Sequence, residues 1–404
     1  MDKAGSSLTT IIPKLHLVVV VALLVMAGQI ARAQTLTVLH TFTGENGDGA
    51  TPYAGMILDT EGNLYGTTEF GGEWGGGSVF KLAPDGTLQD IWPASAGGSQ
   101  PLAAVLKIKN NIYGTAIAGG QFDGGTVFDL WYVPKRNRYW GKTLYSFCVL
   151  SCGYGYYQWP TSDLVADADG NLYGTTRYGG NGSGDVYQVS LDGTGTVLYA
   201  FCPEWQNGCT DGSEPMAGVV RDADGNLYGT TYYGGTYNSG AVFELTPAGT
   251  ETVLHSFEGG ADGEYPSADL LRDAQGNLYG TTLGTIFEIT AAGVENVLYT
   301  FQGPPDAIGS QAGLTRDARG NLYGTTVYGG VYDEGAVFKL TYSKKQKTYI
   351  EQVLYSFTGG TDGANPYSKL VMDKAGNLYG TTEQGGDLSD CYGRGCGTVF
   401  ELTP

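Results

Sequence analysis

Histidine is nearly missing from this chain of 404 residues: there are three, and only His40 and His255 lie beyond residue 33. A Ser/His/Asp triad or a His-based metal site therefore has almost no material to draw on. Charge is also sparse, with 16% of residues Asp, Glu, Lys or Arg, and it is lopsided, 41 acidic against 22 basic. Such a surface repels nucleic acid and anionic lipid, so neither is expected as a partner. No apolar run reaches the roughly 20 residues that a membrane helix needs. The longest, Leu17 to Ala27, has eleven. Helix in general is unsupported, because no long stretch beyond residue 33 carries apolar residues at 3.6 spacing without glycine. Nor does a Gly-x-Gly-x-x-Gly element stand between a strand and a helix. Nothing here calls for a cofactor.

What is abundant is glycine, 66 residues, and tyrosine, 29. Together they describe a turn-dense all-β protein. The first 33 residues read differently: Lys3 and Lys14 precede the apolar run, and Ala31-Arg32-Ala33 follows it. This is the pattern of a cleavable secretory signal, so residues 1–33 are expected to be removed and the remainder exported, secreted or periplasmic, with no membrane span. Without Asp2, Lys3, Lys14 and Arg32 the chain keeps 19 basic and 40 acidic residues, a net charge of −21.

One string organises everything after residue 33. Asn-Leu-Tyr-Gly-Thr-Thr begins at Asn63, Asn171, Asn226, Asn277, Asn321 and Asn377, with a degenerate copy at Asn111; the starts lie 48, 60, 55, 51, 44 and 56 residues apart. A period of that size is one supersecondary unit repeated, each copy needing neighbours to bury its apolar face. A second motif, Gly-x-Val/Ile-Phe/Tyr, recurs seven times, from Gly77 to Gly397, and a third, of the Val-Leu-His/Tyr-Ser-Phe type, also seven times, from Thr37 to Val353. Short alternating segments separated by Asp-Gly and Pro-containing turns are antiparallel meanders. Four such strands make one propeller blade. The expected fold is a single seven-bladed β-propeller over residues 34–404. The third motif starts ahead of the first and is missing after the last, so residues 37–42 should supply the outermost strand of the final blade and seal the ring.

In these motifs the chain resembles the bacterial GloVer (Gloeobacter/Verrucomicrobia) tandem-repeat family, in which Leu-Tyr-Gly-Thr-Thr, a Gly-Gly loop, Gly-Thr-Val-Phe-Lys-Leu-Thr-Pro and Val-Leu-His-Ser-Phe follow in that order. The likeness spans Thr37 to Pro404. It implies exported bacterial proteins and brings no activity with it. The Asp-x-x-Gly-Asn-Leu-Tyr element is also similar to that of NHL-type and gluconolactonase-type propellers.

In a meander, the loops after strands one and three share one face, and those after strands two and four share the other. The first set reads as short and uniform; the second is long, irregular and carries every cysteine. Long loops on a rigid scaffold are where folds place binding. Ligand contacts are therefore expected from Trp74, Phe122, Tyr157, Trp159, Trp205, Tyr233, Tyr237, Tyr332 and Tyr392, whose rings suit sugar faces or peptide. The cysteines should pair locally, Cys148 with Cys152, Cys202 with Cys209 and Cys391 with Cys396, because equivalent strands of adjacent blades diverge beyond disulfide reach. None of these pairs has metal-site spacing. The Asp-Ala-Asp-Gly turns lack a complete calcium ligand series. The Asp-Gly-x-x-Pro loops at Asp48, Asp211, Asp262 and Asp362 should cap their own turns. His40 and His255 sit where other copies have Tyr, as structural substitutes. The expectation is a monomeric, noncatalytic propeller that binds a glycan or protein through its long-loop face. The alternative is a carbohydrate hydrolase or lyase with acidic residues at the channel mouth.

Overall fold

The computed structural model describes residues 34–403 apart from 46, 95–96, 148–157 and 204–207. The signal segment, Cys148, Cys152, Tyr157 and Trp205 lie outside the described residues. Seven four-stranded antiparallel sheets form the blades. We number them by their innermost strands, which begin at Ile57, Leu106, Val165, Val220, Leu271, Thr315 and Val371. Blade 1, for example, runs outward through Ile57–Leu58, Leu64–Thr68, Ser78–Leu82 and Leu88–Pro93. Blade 7 takes its outermost strand, Thr35–Thr41, from the other end of the chain, with Thr37 opposite Glu401 and Val38 opposite Phe400. The ring closes as the displaced motif requires.

Physical coupling between the motifs explains why they recur together. A Cβ placed on the glycine of any of the seven Leu/Ile-Tyr-Gly-Thr copies would stand 2.4 to 2.6 Å from the third-strand Phe or Tyr opposite it, as at Gly66 against Phe80 and Gly229 against Phe243. The glycine is the seat of that ring. The fourth-strand Phe of one blade then packs on the third-strand ring of the next: Phe147 on Tyr187, Phe201 on Phe243, Phe257 on Phe287, Phe301 on Phe338 and Phe357 on Phe400, at 4.9 to 5.5 Å between centroids. Trp92 does this for blade 2, and Phe42 on Phe80, at 5.3 Å, joins blade 7 to blade 1. Edge-to-face pairs of this kind contribute about 0.5 to 1.5 kcal/mol beyond their burial.

In six of the seven motifs the first Thr ties adjacent blades by a hydrogen bond, Thr230 of blade 4 being the exception among the described residues. Thr67, Thr115, Thr175, Thr281, Thr325 and Thr381 donate their hydroxyls to Ala103, Ser162, Ala217, Ala312, Ser368 and Ala54 carbonyls of the following blade, at 2.8 to 3.2 Å. Every outermost strand also carries a bulge opposite the third strand, such as the shift between Val242 and Phe243 that leaves Leu254 unpaired. A bulge of one residue resets the two-residue alternation. Consecutive residues of Val-Leu-His-Ser-Phe can thus serve both the blade and its neighbour.

The Asp-x-x-Gly-Asn turns are structural. In the third blade one oxygen of Asp167 accepts the Asp169 and Asn171 amides at 3.0 and 2.9 Å, while the other accepts the Asn171 side chain at 2.8 Å and the Tyr173 hydroxyl at 3.0 Å. Both oxygens are occupied by the turn itself, and these bonds hold the carboxyl below the usual range despite the opposing effect of burial. Asp48, Asp211, Asp262 and Asp362 cap their loops through the Thr43, Cys202, Glu258 and Thr358 amides at 2.7 to 2.9 Å. Each also meets the fourth-strand side chain, His40, Tyr199, His255 or Tyr355. The two histidines do stand in for Tyr. One expectation needs correction. The turns between third and fourth strands are not uniformly short: blade 2 extends into Thr126–Val133 with Arg138–Ser146, and blade 6 into Ala336–Ser343 with Thr348–Ser356.

Candidate functional site at the channel mouth

Each innermost strand enters from the long-loop face through a residue with left-handed backbone just before the Pro: Thr51, Gln100, Trp159, Glu214, Tyr265 and Asn365, with φ between 49° and 58°. Blade 6 uses Gly309 there. Such a conformation costs a non-glycine residue about 1 kcal/mol or more. Hydrogen bonds to the preceding blade and to the second strand of its own blade hold it. The amides of Thr51, Gln100, Glu214, Tyr265 and Asn365 donate to Cys396, Gly76, Ser183, Ser239 and Glu334 carbonyls of the preceding blade at 2.7 to 2.9 Å. The carbonyls of Thr51, Gln100, Trp159, Glu214 and Asn365 accept the amides of Glu69, Ile117, Arg177, Tyr232 and Glu383, the residues that follow the second-strand motif. Two rings of side chains are thereby fixed around one opening by backbone alone.

Aromatic pairs crowd this opening. Tyr53 and Tyr367 stack at 4.4 Å and 23° across the blade 1 and blade 7 seam. Tyr232 and Tyr265 stack at 5.1 Å and 24°, with Tyr233 set edge-on to Tyr232 at 4.8 Å. Trp159 meets Tyr178 at 5.3 Å, and the Arg177 guanidinium lies 4.9 Å from the Tyr178 ring. Arg177 is held by Glu214 through two nitrogens at 2.9 and 3.0 Å. Glu69 and Glu383 come from adjacent blades; burial, then the charge of Glu383, pushes Glu69 up to about 7, and burial also raises Glu383.

Below the mouth, the channel narrows to a cavity of about 90 Å³ bordered by all seven blades. Its floor carries Asp163, Asp269 and Lys369. Asp163 accepts the Ala104 amide and Asp269 the Gly218 amide, both at 2.6 Å. Enclosure and the facing Asp269 raise the Asp163 carboxyl well above its ordinary value, while the Lys369 charge opposes this. The side chains border the channel cavity yet are surrounded by protein, which explains strong desolvation of a partly exposed group. Gly55 and Gly313 leave room for Lys369, whose atoms a Cβ at either position would approach to 3.0 to 3.1 Å.

Of the residues singled out from sequence, Trp159 and Tyr233 reach the mouth. Trp74, Phe122, Tyr237, Tyr332 and Tyr392 are exposed on outer loops of the same face. Trp74, 67% exposed, borders a groove of about 740 Å³ with Phe70, Ser99 and Gln100, which joins the rim to the mouth. The disulfides Cys202–Cys209 and Cys391–Cys396 pair locally as expected. Sequence reasoning missed Tyr53, Glu69, Arg177, Tyr265, Tyr367 and Glu383. They occupy the positions that flank the Pro and the position after Gly-Thr-Thr, which differ from copy to copy, so no shared motif marks them.

Seven closed four-stranded blades define a β-propeller whose long-loop face opens on a ring-lined, acidic mouth. The Gloeobacter/Verrucomicrobia repeat profile matches residues 28–210, 204–283 and 282–404, and the chain belongs to that family. No curated protein matches its sequence. Among solved structures, two of the extracellular domain of BT4673 from B. thetaiotaomicron superpose with TM-scores of 0.55 and 0.56 at 12% identity, covering 91% of this chain. This chain spans about two fifths of the length of those proteins, 40% and 39%. The likeness shows the fold.

Proposed function

We propose that this chain is an exported, noncatalytic propeller that binds a carbohydrate at the mouth of its channel. The observation that carries the reading is the set of three aromatic pairs, Tyr53 with Tyr367, Tyr232 with Tyr265 and Trp159 with Tyr178, around one opening. Rings already ordered by their neighbours offer contact area to a sugar face at little entropy cost. Export is supported by the two disulfides and by the extracellular location of the BT4673 domain. Calorimetry against a glycan identified on an array tests the reading. Tyr53→Ala, Trp159→Ala and Tyr265→Ala should each weaken binding about tenfold or more. Wild-type affinity in all three would refute a site at the mouth.

The Glu69 and Glu383 pair favours a second reading, a carbohydrate hydrolase or lyase. A carboxyl group poised near neutrality is suited to general acid and base work. The binding reading is preferred because the other acids nearby are committed: Glu214 to Arg177, and Asp163 and Asp269 to backbone amides. Product release that disappears in Glu69→Gln while ligand affinity persists would decide for the enzyme.

A further inference from the structure

The two long hairpins of blades 2 and 6 are built alike. Each closes through a four-residue turn, 134–137 in one and 344–347 in the other, whose last residue, Asn137 or Lys347, has left-handed backbone. Each sets two tyrosines opposite one another just below the turn, Tyr132 with Tyr139 at 5.2 Å and Tyr342 with Tyr349 at 5.3 Å. Each also carries three exposed cations at its tip: Lys135, Arg136 and Arg138 in blade 2, and Lys344, Lys345 and Lys347 in blade 6. None of the six belongs to an ion pair among the described residues. In a chain with 19 basic and 40 acidic residues beyond position 33, no acid lies within 130–141 or 340–350. Both hairpins join third and fourth strands, so both project from the face opposite the mouth.

We propose that these hairpins form a second binding surface, for a carboxylate-bearing polysaccharide. Charge sets the sign of the partner, since unpaired cations on an otherwise acidic protein attract a polyanion locally while the rest of the surface repels it. Two features favour a uronate polymer over a lipid surface. The exposed Trp140 ring is flanked by the guanidinium groups of Arg138 and Arg136, at 4.4 and 5.3 Å, so it steadies two guanidinium forks that suit carboxylates and is not a bare apolar wedge. Beside it lies a polar cleft of about 910 Å³ whose lining includes Lys81, Asn110, Tyr132, Asn137 and Tyr139, together with two acids, Glu61 and Asp59, the latter paired with Lys107 at 2.9 Å. Rings, amides and an ammonium group in one cleft match a charged sugar unit.

Binding of the whole mature chain to polygalacturonate oligomers and to their methyl-esterified, uncharged counterparts tests this. The acid form should bind at least about tenfold more tightly, and the preference should fade with added salt. The triple variants Lys135→Gln/Arg136→Gln/Arg138→Gln and Lys344→Gln/Lys345→Gln/Lys347→Gln should each weaken it about tenfold, and their combination should abolish it. Tyr53→Ala at the mouth should leave it unchanged, which separates this surface from the site proposed above. Equal binding of the two polymers, undiminished binding by the six-fold variant, no binding at all, or tighter binding to oligothymidylate or phosphatidylserine vesicles would each overturn the proposal.

Discussion

Raising the pH from about 5.5 to 8 should destabilise this protein. The cause is a set of acid pairs repeated around the outer part of the ring. Glu251 of blade 4 faces Asp211 of the preceding loop, Glu295 of blade 5 faces Asp262, Glu351 of blade 6 faces Asp306, and Asp90 of blade 1 feels Glu73 and Asp48. One oxygen of each of the three glutamates is buried without a hydrogen-bond partner among the described residues. Burial first, then the neighbouring carboxylates, pushes Glu251, Glu351 and Asp90 up to about 7, and Glu295 in the same direction. Between about pH 4.5 and 7 the folded chain therefore holds protons that the unfolded chain has released. Stability rises with pH only where the unfolded state binds more protons, so here it must fall. Four of the Asp-x-x-Gly-Asn aspartates, Asp167, Asp222, Asp273 and Asp317, are shifted downward and titrate below this window. Displacing a carboxyl's titration by one pH unit corresponds to about 1.4 kcal/mol. These groups are only partly buried, and screening reduces each to about 1 kcal/mol, roughly 3 to 4 kcal/mol for the four. Urea unfolding at the two pH values gives the difference directly. The triple variant Glu251→Gln/Glu295→Gln/Glu351→Gln should be more stable than wild type at pH 8 and lose part of the pH dependence, the remainder belonging to Asp90, Glu69, Glu383 and Asp163, whose carboxyls are raised as well. A wild-type protein equally or more stable at pH 8, or a variant with the same slope, would refute the reasoning.

Three further outcomes follow from the ring. Phe42→Ala should cost as much as Phe257→Ala, about 3 to 5 kcal/mol by urea unfolding, because Phe42 fills the same interblade position at the seam; a loss under about 1 kcal/mol for Phe42 would mean an open ring. Thr381→Val removes the bond to the Ala54 carbonyl and should cost about 1 to 2 kcal/mol, while Thr230→Val, whose hydroxyl has no partner among the described residues, should be nearly neutral. Asp167→Ala leaves two amides and a tyrosine hydroxyl of the third blade without their acceptor; a loss of about 2 kcal/mol is expected in thermal unfolding, and calcium should not alter the wild-type midpoint.

The mouth shows why part of a repeat protein stays hidden in its sequence. Residues such as Gly229 and Phe243 recur because each copy must satisfy the same contact, and repetition makes them conspicuous. The positions that face the channel have no such partner within the copy. Glu69, Arg177, Tyr232 and Glu383 are equivalent in the fold but share no chemistry, so nothing in the chain marks them as neighbours. Trp74 and Tyr392 stand out by composition, yet their loops leave them at the rim. Trp159 is conspicuous because it is a large ring, not because its backbone precedes a proline in a left-handed turn.

The linear chain settled the number of blades, their four-strand order, the seam between Thr35–Thr41 and Thr398–Thr403, and the local disulfides Cys202–Cys209 and Cys391–Cys396, because each of these follows from spacing and from contacts repeated within or between successive copies. Only the folded ring decided which side chains meet across its axis, which acids are forced to share a desolvated edge, and that two basic hairpins from distant copies stand on one face. Those relations depend on the angle between blades, and sequence separation carries no record of it.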